Sequence, residues 1–343
     1  MPLNKILFVG LGGAGQRHLR IFKQLLGPDT QFTCYRSTRT TPLLNPNFTV
    51  NTQTSLEEHY ALKSFDNLES ALDDKPDLIV ISTPSSLHYD AARRAAEKGI
   101  GVFIEKPFSH NLEGFDHFAQ TIRSQNLPFF ISYQRRFHSL IQKVQKAVAG
   151  EDIGRPFNAT FNVASYVPEW HGYEDFRSLY AARKDLGGGV LLTEIHELDL
   201  CYWFFGLPKS VSCVGGNFSG IEIDVEDTAH ITLTYPNLAV NVNLCFMQKH
   251  NRRDFHIAGS EGYLEWNQDG NRIRIDDYDT GESIEEADGT FSNDDMFVAQ
   301  TRYFIDNYDR IDSNETLEQA RASLAIVEAA KQSMRDGCPI AIT

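Results

Sequence analysis

Lys106, in the run Val102-Phe103-Ile104-Glu105-Lys106-Pro107, is the side chain best suited to moving a proton. It follows an apolar strand and so stands at the rim of whatever cleft that strand ends in. There an amine can take or return the proton of a substrate hydroxyl. The same Glu-Lys pair could also be a solvated strand end. Histidines can also handle protons near neutral pH, although a histidine on an apolar helix, as at His196, can equally be a hydrogen-bonded core residue. A third set of residues binds rather than reacts. Ile6-Leu7-Phe8-Val9-Gly10-Leu11-Gly12-Gly13-Ala14-Gly15 reads as a buried strand, a G-x-G-x-x-G turn and the opening of a helix. Gly10 permits the tight turn, Gly12 lets the backbone approach a pyrophosphate, and Gly15 lets helix and strand pack closely. Gly13 and Ala14 begin the helix, whose free N–H groups and positive end face the phosphates.

Strand two ends in Tyr35-Arg36-Ser37-Thr38-Arg39, about 20 residues beyond the glycines, where an NAD site usually carries an acid for the ribose 2′-OH. Arg36 and Ser37 could instead bond a 2′-phosphate, which favours NADP(H). If Arg36 only stacks on adenine, NAD(H) is also accommodated. Thr83-Pro84-Ser85-Ser86-Leu87-His88 follows the apolar run Asp77–Thr83, and ligands of open α/β sheets sit outside such strand ends. Thr83, Pro84, His88 and Glu105 join the cofactor-binding set on that ground. No metal is expected, because His88, His138, His171 and His196 lack ligand spacing with cysteines or paired acids.

These groups need elements to position them. Up to Tyr133, strand and helix patterns alternate, as in a parallel sheet with right-handed crossovers. Beyond it, strand candidates at Phe157–Val167, Val211–Phe218, Thr228–Thr234, Ala239–Phe246, Asp254–Ala258 and Tyr263–Trp266 follow one another, interrupted by a single helix, Val190–Phe205. The expected fold is α/β: an N-terminal Rossmann doubly wound parallel sheet, residues 1–133, plus a C-terminal α+β domain with a mainly antiparallel open sheet, residues 134–343. Residues 38–64 read as a long irregular connection. Asp276 to Asp295 holds nine acidic groups and no Lys or Arg, and reads as a solvated loop or hairpin edge. If both faces of the second sheet are apolar, a second copy must cover one of them. That predicts a homodimer or homotetramer through Val211–Trp266. A polar outer face, with Thr228, His230, Thr232 and Thr234 on the alternate positions, predicts a monomer instead.

The formal net charge of −14 argues against a nucleic-acid surface. Five cysteines without framework spacing fit a reducing compartment. No leader-like start and no run of roughly 20 apolar residues point to a cytoplasmic protein without a membrane partner.

Taken in order, G-x-G-x-x-G-x-x-H (Gly10 to His18), T-P-x-x-x-H (Thr83 to His88) and E-K-P (Glu105 to Pro107) resemble the glucose–fructose oxidoreductase / inositol dehydrogenase / rhizopine-catabolism (Gfo/Idh/MocA) family. Tyr133-Gln134-Arg135-Arg136-Phe137 is similar to its G-Y-x-x-R-F stretch, and Leu186 to Asp199 to its glycine-then-histidine helix. The resemblance implies that Lys106 is the catalytic lysine, with a cis peptide before Pro107, and that His196 assists it. It adds Tyr133, Arg136, Trp170, Arg177, Tyr180 and Asp199 as substrate contacts beside Lys106 and His196. One departure stands out: where many members have an acid three or four residues before the histidine, this chain has Thr193 and Leu192. Asp199, on the same helix face as His196, is the expected substitute.

The implied activity is hydride transfer between NAD(P) and a secondary alcohol or ketone of a sugar, sugar derivative or cyclitol. A cofactor-binding sensor without turnover, or a sugar-processing enzyme that recycles its bound cofactor, are the alternatives.

Overall fold

The computed structural model describes residues 3–37 and 41–342; Thr38 and Arg39, at the end of the arginine-bearing stretch, lie outside them. The chain divides into two compact units, Met1–Ser132 with Phe297–Arg321, and Tyr133–Met296 with Ala322–Thr343. A single cut at 133/134 therefore does not describe it, because a C-terminal segment returns to the first unit.

The first unit contains β1 (Lys5–Val9), α1 (Gly13–Leu26), β2 (Gln31–Tyr35), a hairpin of β3 (Leu43–Leu44) and β4 (Val50–Asn51), α2 (Leu56–Tyr60), β5 (Lys63–Phe65), α3 (Leu68–Asp73), β6 (Leu78–Ile81), α4 (His88–Glu97), β7 (Gly101–Glu105), α5 (Phe115–Gln125) and β8 (Phe129–Ser132). The sheet runs β5-β2-β1-β6-β7-β8 and every pairing is parallel. Strands β6 and β7 are buried at every position, as expected of apolar runs covered on both faces. Strand order reverses between β1 and β6, so their carboxyl ends flank the crevice in which such sheets bind ligands. α1 turns Leu19, Ile21 and Phe22 to the core, where the Phe22 ring meets Phe8 and Phe103 edge-on.

The connection after β2 is more ordered than its pattern predicts. Pro42, Asn45, Pro46 and Asn47 exclude a helix there, and the chain forms the β3–β4 hairpin instead. Ser55 and Glu58 then close a capping box that starts α2. Gln16, fully buried on α1, carries the hairpin: its amide bonds the carbonyls of Leu11 (3.0 Å) and Pro42 (2.9 Å) and accepts from the Leu44 N–H (2.8 Å).

The second unit begins with α6 (Ser139–Ala149) and β9 (Pro156–Tyr166), then α7 (Val190–Thr193) and α8 (His196–Phe205). It continues with β10 (Ser210–Gly216), β11 (Thr228–Thr234), β12 (Ala239–Cys245), β13 (Met247–Gly259), β14 (Gly262–Asn267), β15 (Arg272–Asp277) and β16 (Ser283–Ala287). Helices α9 (Asn293–Asp306) and α10 (Ser313–Asp336) and strand β17 (Ile340–Ala341) close the chain. The sheet order is β16-β15-β14-β13-β9-β12-β11-β10-β17, and only β9 and β12 pair in parallel. The acidic run is a hairpin edge, with all five residues of β16 exposed.

Two expectations need correction here. The single helix expected over Val190–Phe205 is broken at Glu194-Ile195, where the Glu194 carboxylate turns to Arg253. The argument from two apolar sheet faces also fails. Val211, Ile231, Leu233, Val240, Val242 and Leu244 all lie on the buried face. The alternate positions form a polar ladder: Asn162 donates to Asp254, Asn243 to Asn162, and Asn243 also bonds the His230 ring. Among the described residues, no helix is long and apolar enough to cross a membrane.

Gln16→Ala strips two bonds from backbone groups at the hairpin root and a third from the Leu11 carbonyl in the glycine turn, which should lower unfolding stability by about 2–4 kcal/mol. Denaturant titration reads this, and a loss below about 0.5 kcal/mol would show that the hairpin does not hang on Gln16.

Candidate active site

Each unit carries part of the predicted site. In the first, the turn after β1 is built around the absence of side chains. Gly10 has φ +84°, and a Cβ there would lie 2.9 Å from the Ser82 carbonyl and the Thr83 nitrogen. A Cβ on Gly15 would overlap the Ser82 hydroxyl and the Gly10 carbonyl, which bond each other at 2.7 Å. Gly15 thus clears room for the end of β6, not only for β1. Gly12, the N-cap of α1, has open space within 4 Å of its Cβ position. The buried Thr83 Oγ1 has no hydrogen-bond partner among the described residues. A free helix N-terminus, an open glycine and an unsatisfied hydroxyl at the switch-point crevice together suit a dinucleotide phosphate.

Arg36 directly follows β2, but its guanidinium is only 7% exposed: Nη1 pairs with Glu57 at 2.9 Å and Nη2 donates to the Thr41 carbonyl at 2.6 Å. Ser37 beside it is exposed. A 2′-phosphate would therefore meet an arginine already half neutralised.

Lys106 follows β7, and its peptide bond to Pro107 is cis. The Lys106 N–H reaches Glu105 Oε2 at 3.2 Å, while Glu105 Oε1 meets His18 Nε2 at 2.5 Å and accepts from Ser132 at 3.1 Å. Gln300 of α9 donates to the Ser132 hydroxyl at 2.8 Å, and Phe297 lies edge-on to the His18 ring. Burial works to raise the Glu105 pKa, but the His18 bond and the charges of His18 and Lys106 outweigh it and hold the carboxyl below its usual range. Glu105, expected as a cofactor contact, is committed to the scaffold under Lys106. His88 is buried between two loops, with Nδ1 facing the Pro107 carbonyl and Nε2 the Thr83 carbonyl, each at 2.7 Å. It ties the T-P-x-x-x-H segment to the E-K-P segment. Burial keeps its pKa below the usual value against those two carbonyls.

In the second unit three glycines set the start of the histidine helix. Gly187 and Gly189 take positive φ, and a Cβ on Gly188 would overlap the carbonyls of Tyr180 and Ala181. The half-buried Tyr180 is thereby fixed through its backbone against this turn. His196 opens α8, with the buried Tyr133 ring edge-on at 6.0 Å and the Gln134 amide donating to Nε2 at 3.2 Å. Burial and the Asp199 charge push the Tyr133 phenol well above its usual range.

Asp199 was expected to orient His196. Both of its oxygens are engaged by Arg136, at 2.8 and 2.9 Å, and Ser323 donates at 3.3 Å. A guanidinium fork is a strong partner for a buried carboxylate, and the Gln134 amide lies against the His196 ring. Arg136 and Asp199 serve as a buried lock on each other. Arg177 is an exposed surface residue paired with Asp175 and Glu222. Trp170 lies edge-on to Phe246 and lines a cavity of about 380 Å³ with Arg135, Tyr166, Lys249 and Arg253. Arg253 carries Glu197 (2.9 Å) and Glu194, while burial and the Arg253 charge bring the buried Arg135 down to about 9.

Gln134, Arg135 and His18 are the residues that motif reading passed over. Each sits inside a quoted motif, one position from a residue singled out or at the motif's end.

Residues 4–133 match the family model described as "Oxidoreductase family, NAD-binding Rossmann fold", and residues 141–265 the "GFO/IDH/MocA C-terminal domain". The chain is 28% identical over 143 residues to a 2,7-anhydro-N-acetylneuraminate hydratase of Mediterraneibacter gnavus, covering 40% of this chain and only 36% of that protein. To the D-xylose 1-dehydrogenase (NADP(+)) 2 of Haloferax volcanii it is 24% identical, covering 76% of this chain and 79% of that one. The solved structure of GenD2 from gentamicin A biosynthesis, in complex with NAD, superposes with a TM-score of 0.81 at 17% identity, covering 100% of this chain and 97% of that one.

The Glu105–His18 pair has a pH signature. Because the folded-state pKa of Glu105 is depressed, its contribution is fully present above the unfolded value of about 4.3 and is lost as pH falls through the folded value. Glu105→Gln should therefore be less stable than wild type at neutral pH, by about 1–3 kcal/mol, with the gap closing on acidification below about pH 4. Denaturation curves across that range check this; a gap independent of pH would mean that the carboxylate charge adds nothing.

Proposed function

The chain belongs to the Gfo/Idh/MocA oxidoreductase family, and from that premise we propose that it is an NAD(P)-dependent dehydrogenase acting on a secondary alcohol of a sugar, sugar derivative or cyclitol. The observation that carries the reading is Lys106, held at the carboxyl end of β7 by the Glu105–His18–Ser132 network in the same unit as the glycine turn. Gly10, Gly12, Gly13, Ala14, Gly15 and Thr83 would hold the dinucleotide, whose nicotinamide supplies the hydride acceptor when bound. Lys106 takes the hydroxyl proton in oxidation and returns it in reduction. In the second unit His196, beside the Gln134 amide, is assigned to binding a substrate oxygen. Trp170 offers a ring for the sugar to stack on, and Arg135 hydrogen bonds for its oxygens.

Lys106→Ala should keep its melting temperature and its affinity for cofactor but lose about 10²–10⁴-fold in turnover. Near-normal turnover on an identified substrate would remove the lysine from the mechanism.

For the cofactor we assign Arg36 as the reader of a 2′-phosphate, with Glu57 restraining it. Releasing Arg36 by Glu57→Gln should shift the NADPH:NADH affinity ratio toward NADPH by about five- to tenfold, and Arg36→Ala should shift it the other way. Fluorescence titration of both cofactors decides. A ratio unmoved in both variants would end the assignment.

A further inference from the structure

The β3–β4 hairpin carries a residue out of place. Phe48, at its tip, has φ +63°. That is a left-handed conformation which glycine or asparagine adopts readily and a phenylalanine does not. The tip is tightly bonded all the same: Asn45 and Phe48 N–H donate to the Thr49 and Asn45 carbonyls at 2.9 Å, and the Asn45 amide bonds the Thr49 hydroxyl. Strain of this kind persists where it delivers a side chain to a particular place. Here it lays the Phe48 ring beside the first residue of α1, where a Cβ on Gly13 would lie 3.0 Å from the ring. The ring does not vanish into the core; Phe48 is half-buried, and the Arg17 guanidinium stacks on it at 4.7 Å and on Phe297 at 4.6 Å. The hairpin's base is tied to both ends of the nucleotide site. Gln16 of α1 bonds Pro42 and Leu44, and Arg36, at the ribose-reading position, bonds Thr41. An aromatic ring is thus fixed at the mouth of the phosphate turn, on the side where β2 ends.

We propose that Phe48 is a cofactor-contact residue: its ring packs on the adenosine half of the bound dinucleotide and sets how long that dinucleotide stays. The inference rests on the NAD-binding assignment of this unit, which direct titration of the wild type with NADH and NADPH tests separately and first. Phe48→Gly and Phe48→Asn both remove the ring while accepting the left-handed backbone, so both should fold. Stopped-flow displacement of NADH and NADPH from the full chain should show release at least about five-fold faster in both variants. The melting temperature should stay unchanged or rise as the strain is relieved. Release within about five-fold of wild type, or faster only where the melting temperature also falls, would make Phe48 a packing residue and overturn the proposal.

Discussion

The first unit is organised by a backbone contact that admits no side chain. The turn after β1 lies so close to the end of β6 that Gly10 touches the Ser82–Thr83 peptide and Gly15 faces the hydroxyl by which Ser82 holds the Gly10 carbonyl. Close packing at that point brings the two strand ends together where strand order reverses. It also fixes where α1 begins, and hence where its unpaired N–H groups point. His18 leaves the same helix to reach Glu105, so the glycine turn and the lysine strand are joined by a side-chain bond as well as by the sheet. A methyl group at Gly10 or Gly15 would disturb both together.

Several ionisable side chains are taken out of water together with a partner. Glu105 with His18, Asp199 with Arg136, and Glu194 and Glu197 with Arg253 are all largely removed from water. Such pairs add little net stability over apolar packing, because desolvation offsets most of the attraction. What they supply is direction. An unpaired member would be costly, so each pair locks the loop or helix that bears it. The break before His196 coincides with one of them, and Lys106 stands directly after another.

The strands and long helices of the first unit were legible in the sequence because apolar runs and helical spacing are local signals. The glycine, T-P-x-x-x-H and E-K-P motifs were legible for the same reason, and they marked the turn after β1, the end of β6 and the end of β7. What escaped depends on partners distant along the chain. Glu194 looks like any helical residue until Arg253, 59 residues later, turns it. Gln134 meets His196 across 62 residues, and Glu57 neutralises Arg36 across 21. The β3–β4 hairpin had no chance of being read, since two-residue strands have no period. The sheet's outer face was misjudged for a simpler reason. Alternation shows that one face is apolar, but the other face must be read at its own positions, and here those carry Asn, Thr and His.

The hairpin stands outside the six-stranded sheet and pairs only with itself. Its hold on the rest of the unit runs through side-chain bonds and the buried Leu43 and Leu44 rather than through a strand ladder. Segments joined in that way can lengthen, shorten or be exchanged at small entropic cost, since closure entropy grows only slowly with loop length. The cofactor contact proposed for Phe48 lies on this hairpin, and Glu57, the partner of Arg36, follows it on α2. On that proposal, cofactor contact can change within this hairpin without touching β7, the strand that precedes Lys106.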